Sequence, residues 1–147
     1  MSEQQQRMFI AALNFAELLI KLLNLKGGSL RRRDPLPGDF PNDVRRRVLE
    51  RYVPSTNGQR IFAQEDRDRV ICHLMALLLI ISECFIDLKL LSDSLHMPVE
   101  KLKILIQIVG AHFSFDKVSG VSTATLRVPL AGPPKKTFQA RKRGGKK

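Results

Sequence analysis

Residues 86–109, IDLKLLSDSLHMPVEKLKILIQIV, constrain the fold more than any other stretch, because two helical stripes are written there with a break between them. Asp87 is a strong N-cap, its side-chain oxygen suited to accept from the free N–H groups of the next turn. Leu88, Leu91 and Leu95 then share one helical face. His96 and Met97 interrupt the pattern. Pro98 suits the first turn of a second helix, and Glu100 lies near the positive end of its dipole. Leu102, Leu105, Ile106 and Val109 repeat at i, i+3, i+4, i+7 until Gly110 stops the helix. Two short helices with so tight a junction are predicted to pack as a helix-turn-helix.

The flanking segments complete a larger motif. A helix is predicted over 64–82, with Glu65, Asp66 and Asp68 in its first turns and Val70, Ile71, Leu74, Leu77, Leu78 and Ile81 as its apolar stripe. Cys84, Phe85 and Ile86 suit a brief strand. Beyond Gly110, residues 111–116 and 123–128 alternate or are β-branched, 117–122 suits a hairpin connection, and Pro129 closes the second strand. Helix, strand, helix, turn, helix and hairpin make a winged helix over 64–130. The fold class expected is therefore mainly α with a small β-hairpin, a winged helix preceded by helical segments.

Residues 1–28 read as an N-terminal amphipathic helix, polar and frayed over 1–7 and helical over 8–25. Asn14, Glu17, Lys21 and Asn24 recur at i, i+3, i+7, i+10, a polar stripe that argues against a membrane span or signal peptide and for a helix packed into protein. The apolar face is wider than one small domain needs to cover. Phe9, Leu13, Phe15 and Leu19 are accordingly expected at a partner contact, on what is either a docking helix or the remnant of a first winged helix. Residues 29–63 form a Pro/Arg-rich linker with one short helix over 41–52, carrying Val44, Val48 and Tyr52 at four-residue spacing. Residues 131–147 form a basic tail expected to be disordered alone.

Charge points to the class of partner. The chain carries +11, which favours a polyanion. Seven of its 25 Lys/Arg and none of its 14 Asp/Glu lie from 129 onward, so residues 1–128 carry only +4. Phosphate contacts are expected from the linker and the short helix (Arg31, Arg32, Arg33, Arg45, Arg46), from the second helix of the motif (Lys101, Lys103), from the wing (Lys117, Arg127) and from the tail (Lys135, Lys136, Arg141, Lys142, Arg143). The tail equally suits a nuclear-import signal. Base readout is not expected, because Ile104 and Ile108 occupy half of the surface that would enter a groove; they suit a protein contact instead. His73, His96 and His112 are scattered, the two cysteines make no disulfide framework, and no metal-ligand or phosphate-loop spacing is present. No metal, cofactor or catalytic residue is expected, and the chain reads as non-enzymatic.

RRDPLPGDFPNDVRRRVLERYV, the apolar helix after it, ISECFIDLKLLSDSLHMPVEKLKILIQIVGAHFSF and ATLRVPL with a basic end resemble the C-terminal region of the TFIIE-beta-like, A49-type tandem winged-helix subunit of RNA polymerase I. The likeness covers residues 7–143. It is most specific at Asp34, Pro35, Leu36 and Pro37, at 85–88 and at 124–130. It implies a non-catalytic polymerase I subunit of the nucleus and nucleolus that binds duplex or single-stranded DNA with low sequence specificity. It also implies contact with the polymerase core, support of ribosomal RNA transcription initiation and elongation, and pairing with a second accessory subunit through an N-terminal domain that this chain lacks. The alternative is a winged-helix protein-interaction module of a nuclear assembly with no DNA contact.

Overall fold

The computed structural model describes residues 2–26 and 28–132. The first helix, α1 (Glu3–Leu23), begins five residues before the expected start at 8. The reason is a capping box: Ser2 Oγ accepts from Gln5 N at 3.2 Å while Gln5 Oε1 accepts from Ser2 N at 2.9 Å. Two polar side chains thus hold a turn that composition alone marked as frayed. The C-terminal half of α1 carries the burial, through Ala16, Leu18, Leu19, Leu22 and Leu23. A single 3-10 turn, Ser29–Arg31, follows, and α2 (Asn42–Tyr52) starts directly after Pro41. The intervening segment packs inward, burying Leu30 and Leu36 in the core.

Two short strands then pair, β1 (Ser55–Thr56) and β2 (Gln59–Arg60), a hairpin not expected from the sequence. Its turn residues Asn57 and Gly58 both have positive φ, at 53° and 78°, which is the turn an Asn-Gly pair favours between antiparallel strands. Helix α3 (Gln64–Ile81) buries Val70, Ile71, Leu74, Met75 and Leu79 between α1 on one side and α5 (Val99–Val109) on the other. Glu83 and Cys84, both with positive φ, turn the chain into β3 (Phe85–Asp87).

Helix α4 (Leu88–Leu95) is capped as expected, with Asp87 Oδ1 accepting from Lys89 N at 2.9 Å and Leu90 N at 3.3 Å. His96, at φ 53°, ends it in a left-handed residue, and Gly110, at φ 103°, ends α5 in the same way. The last two strands are β4 (His112–Asp116) and β5 (Val121–Thr125). The second starts and ends earlier than the 123–128 expected. Asp116 explains the shift: its carboxylate accepts from Val118 N and the Ser119 hydroxyl, both at 2.9 Å, closing a four-residue turn that pairs Asp116 with Val121. The sheet is antiparallel in the order β3-β5-β4, with Ala124 at its centre opposite both Ile86 and Phe113. Helix-turn-helix and hairpin together are a winged helix, and the chain is mainly α, with five α-helices and small antiparallel sheets among the described residues.

One apolar cluster runs from Ala16 to Ala124. Polar contacts tie α1 into it at its C-terminal end. Asn24 Nδ2 donates to Ser94 O of α4 at 3.0 Å, and Arg67 of α3 donates to Leu23 O at 3.3 Å with its guanidinium over the Phe62 ring. A cation thereby satisfies a carbonyl at the negative pole of α1. Two substitutions in α5 separate core from surface. Leu102 is fully buried, so Leu102→Ala is expected to lower unfolding stability by about 2–5 kcal/mol. Ile104 is half exposed, and Ile104→Ala should change it by no more than about 0.5 kcal/mol. The urea midpoints of the two variants at equal m check this.

Candidate nucleic-acid interface

The basic side chains singled out by sequence do different things in the fold, and those differences narrow the candidate interface. Arg31, Arg32 and Arg33 are exposed. The backbone behind them is held by a residue that sequence reasoning missed: Arg60 of β2 donates to Arg32 O at 2.7 Å, Arg33 O at 3.3 Å and Leu30 O at 3.4 Å. A guanidinium fork is suited to binding several carbonyls at once. The backbone of the arginine run is therefore fixed while its side chains stay outward. The Asn57-Gly58 turn that places Arg60 was the signal available in the sequence.

Arg45 is not a surface cation. It donates to Phe40 O at 2.9 Å and Leu36 O at 3.5 Å and bonds the Asn42 side chain, so it staples the start of α2 to the preceding segment. Arg46 is exposed but lies between Asp43 at 3.5 Å and Glu50 at 4.0 Å. A cavity of about 500 Å³ beside it is lined by Arg33, Arg45, Arg46 and Arg60 together with Asp34, Asp43 and Glu50, carboxylates that offset all but one of the four positive charges an anion would meet. In α5, Lys101 pairs with Asp68 of α3 at 3.2 Å, and Lys103 lies over the Phe113 ring at 4.6 Å. Lys117, in the wing turn, and Arg127, after β5, are exposed. Lys135, Lys136, Arg141, Lys142 and Arg143 lie outside the described residues, as does the expected disorder of the tail.

The expected partner contacts divide along α1. Phe9 and Leu13 are exposed and Phe15 is half-buried, but Leu19 is fully buried and belongs to the chain's own core. Its neighbours on the inner face are Leu18 and Leu22, both also at 0% exposure, so it has no surface to offer. Ile104 and Ile108 are exposed on α5, at 50% and 59%.

The Cys72-His73 pair diverges across α3. Cys72 faces α5, and its thiol is pushed up by burial and by Asp68. His73 turns to α2, where its Nδ1 meets the Tyr52 hydroxyl at 2.9 Å with the rings edge to face. Partial burial, then Arg51, then Arg69 hold the imidazole below the usual histidine range. Among the described residues no three His, Cys, Asp or Glu side chains are grouped to hold a metal, and no helix is long and apolar enough to cross a membrane.

Two outcomes follow from these contacts. Arg60→Met is expected to speed tryptic cleavage after Arg31, Arg32 and Arg33, read by timed mass spectrometry, because their backbone loses its support. The unfolded chain binds a proton at His73 more readily than the folded one. Stability is thus full above about pH 6.5 and declines as pH falls through the histidine range toward the lowered folded value. His73→Gln should flatten that decline in thermal melts taken between pH 7.5 and 5.

The model of the family described as A49-like RNA polymerase I associated factor matches residues 1–133. A search of curated proteins found no match to the chain.

Proposed function

From the premise that the chain belongs to the A49-like RNA polymerase I associated factor family, we propose that this accessory component of polymerase I binds DNA with little sequence preference. In this role it supports initiation and elongation of ribosomal RNA synthesis in the nucleolus, in contact with the polymerase core and a second accessory subunit. The observation that carries the DNA reading is the rigidly backed run Arg31, Arg32 and Arg33, three exposed cations whose backbone Arg60 fixes. Lys117 of the wing and Arg127 add exposed charge.

The outward face of α5 supports the absence of sequence readout. Its two lysines are engaged with Asp68 and Phe113, and Ile104 and Ile108 hold no donor for a base edge. Contacts to phosphate alone bind without specificity and weaken with salt. The polymerase role rests on the family match and on no catalytic constellation of the chain. A protein-interaction reading without DNA is favoured by the exposed Met8, Phe9, Ile10 and Leu13 of α1 and by Ile104 and Ile108.

Fluorescence anisotropy of a labelled duplex titrated with the chain, repeated across salt concentrations, separates the two readings. Binding with a steep negative salt slope is expected. The triple variant Arg31→Gln, Arg32→Gln, Arg33→Gln should reduce that slope by about 0.9 for each phosphate that is no longer neutralised. No binding at low salt would leave the interaction module as the better reading.

A further inference from the structure

Helix α2 sorts its arginines by face. Arg45 is turned to backbone carbonyls and Arg46 to carboxylates, whereas Arg47 and Arg51, one turn apart on the same side, are exposed and have no carboxylate within 4.0 Å among the described residues. Arg69 of α3 is likewise exposed and without a carboxylate partner among the described residues. It is held against α2 by its bond to Arg51 O at 2.8 Å. Tyr52, almost fully buried, is the hub of this seam: the Arg51 and Arg69 guanidinium carbons each lie 5.7 Å from its ring centroid. Its hydroxyl hydrogen-bonds His73 Nδ1 at 2.9 Å, which leaves His73 Nε2 without a partner among the described residues.

We infer that Arg47, Arg51, Arg69 and His73 form a phosphodiester-binding patch on the α2–α3 seam, positioned by Tyr52 and separate from the arginine run and the wing. The inference deepens the DNA-binding reading and rests on it. Three guanidinium groups on fixed helices present donors beside an imidazole that donates from both nitrogens once protonated, which suits a ligand carrying repeated anionic oxygens. Two of those guanidiniums are restrained by the tyrosine ring, and one also by a carbonyl, so little side-chain freedom is lost when an anion arrives. The charged and titratable groups that act on His73 are Tyr52 and Arg51 from α2 and Arg69 from its own helix, and no carboxylate among the described residues acts on it. A phosphate placed among them offsets the repulsion between the cations and favours the imidazolium, so affinity should rise as pH falls toward 6.

The test is duplex binding by the whole chain, read by anisotropy across salt concentration and pH. Arg51→Gln with Arg69→Gln is expected to lower the salt slope by about two and the affinity at least tenfold. The lysine pair at the same positions should restore most of the slope. His73→Gln should remove the rise in affinity below pH 7. Arg47→Gln, at an exposed helix position with no packing role, should lower the slope by about one and serves where the double variant fails to fold. Wild-type binding with unchanged slope in Arg47→Gln and in a folded double variant overturns the patch while leaving the DNA reading intact. Absence of wild-type binding overturns both. Loss of binding to a polyglutamate peptide in these variants, with duplex binding unchanged, would also overturn the patch and assign the seam to an acidic protein segment.

Discussion

The burial of α3 between α1 and α5 is the constraint on which the rest of the structure depends. Val70, Leu74 and Met75 are fully enclosed, and so are Leu18, Leu19 and Leu22 of α1 and Leu102 and Ile106 of α5. At about 1.5–3 kcal/mol for each fully buried aliphatic side chain, these contacts offset the entropy of ordering three helices, since in a folded protein most helical stability comes from packing of an apolar face. The same helix also sets the polar joints. Arg67 of α3 receives the end of α1, Asp68 receives Lys101 of α5, and His73 receives Tyr52 of α2. Moving α3 by one turn would break all three at once, so the positions of the basic groups on its neighbours follow from an aliphatic core.

Net charge describes this chain less well than the fate of each cation. Arg45, Arg60 and Arg67 donate to backbone carbonyls and hold segments together. Arg7, Lys21, Arg46 and Lys101 face carboxylates within 4.0 Å and are close to neutral at a distance. The linker arginines, Arg47, Arg51, Arg69, Lys117 and Arg127 have no carboxylate within 4.0 Å among the described residues. Charge pairs on the surface contribute little to stability, but each one subtracts from the field a polyanion meets. The attraction is concentrated where the fold withholds carboxylates.

Much of the fold was legible because its signals are local. Asp87, the break at His96, Gly110 and the stripe from Leu102 to Val109 define the two helices of the motif by capping and periodicity alone, and the structure has each of them in place. What was missed depends on partners distant in sequence or on small turns. Arg60 reaches back 28 residues to Arg32, and Tyr52 reaches forward 21 to His73; neither spacing has a helical or strand period. Leu19 looked available because its helix is apolar everywhere outside one polar stripe, and only the tertiary packing shows that the inner face of α1 is covered while residues 3–11 are exposed. The early start of β5 was hidden in the Asp116 turn, whose hydrogen bonds set the register two residues from where β-branching placed it.

The winged helix is used here in a way its geometry does not dictate. A recognition helix reads DNA when its exposed face carries donors free to meet base edges. In α5 that face carries Ile104 and Ile108, and its lysines are drawn sideways, Lys101 to α3 and Lys103 to the sheet. Drawing those two lysines off the face stabilises the α3–α5 and α5–β4 joints and leaves the exposed centre of the helix aliphatic. The cations without carboxylate partners instead sit away from α5, on the arginine run, the α2–α3 seam and the wing. In the proposed DNA-binding role, cations so placed meet phosphate and not base edges, whatever the sequence.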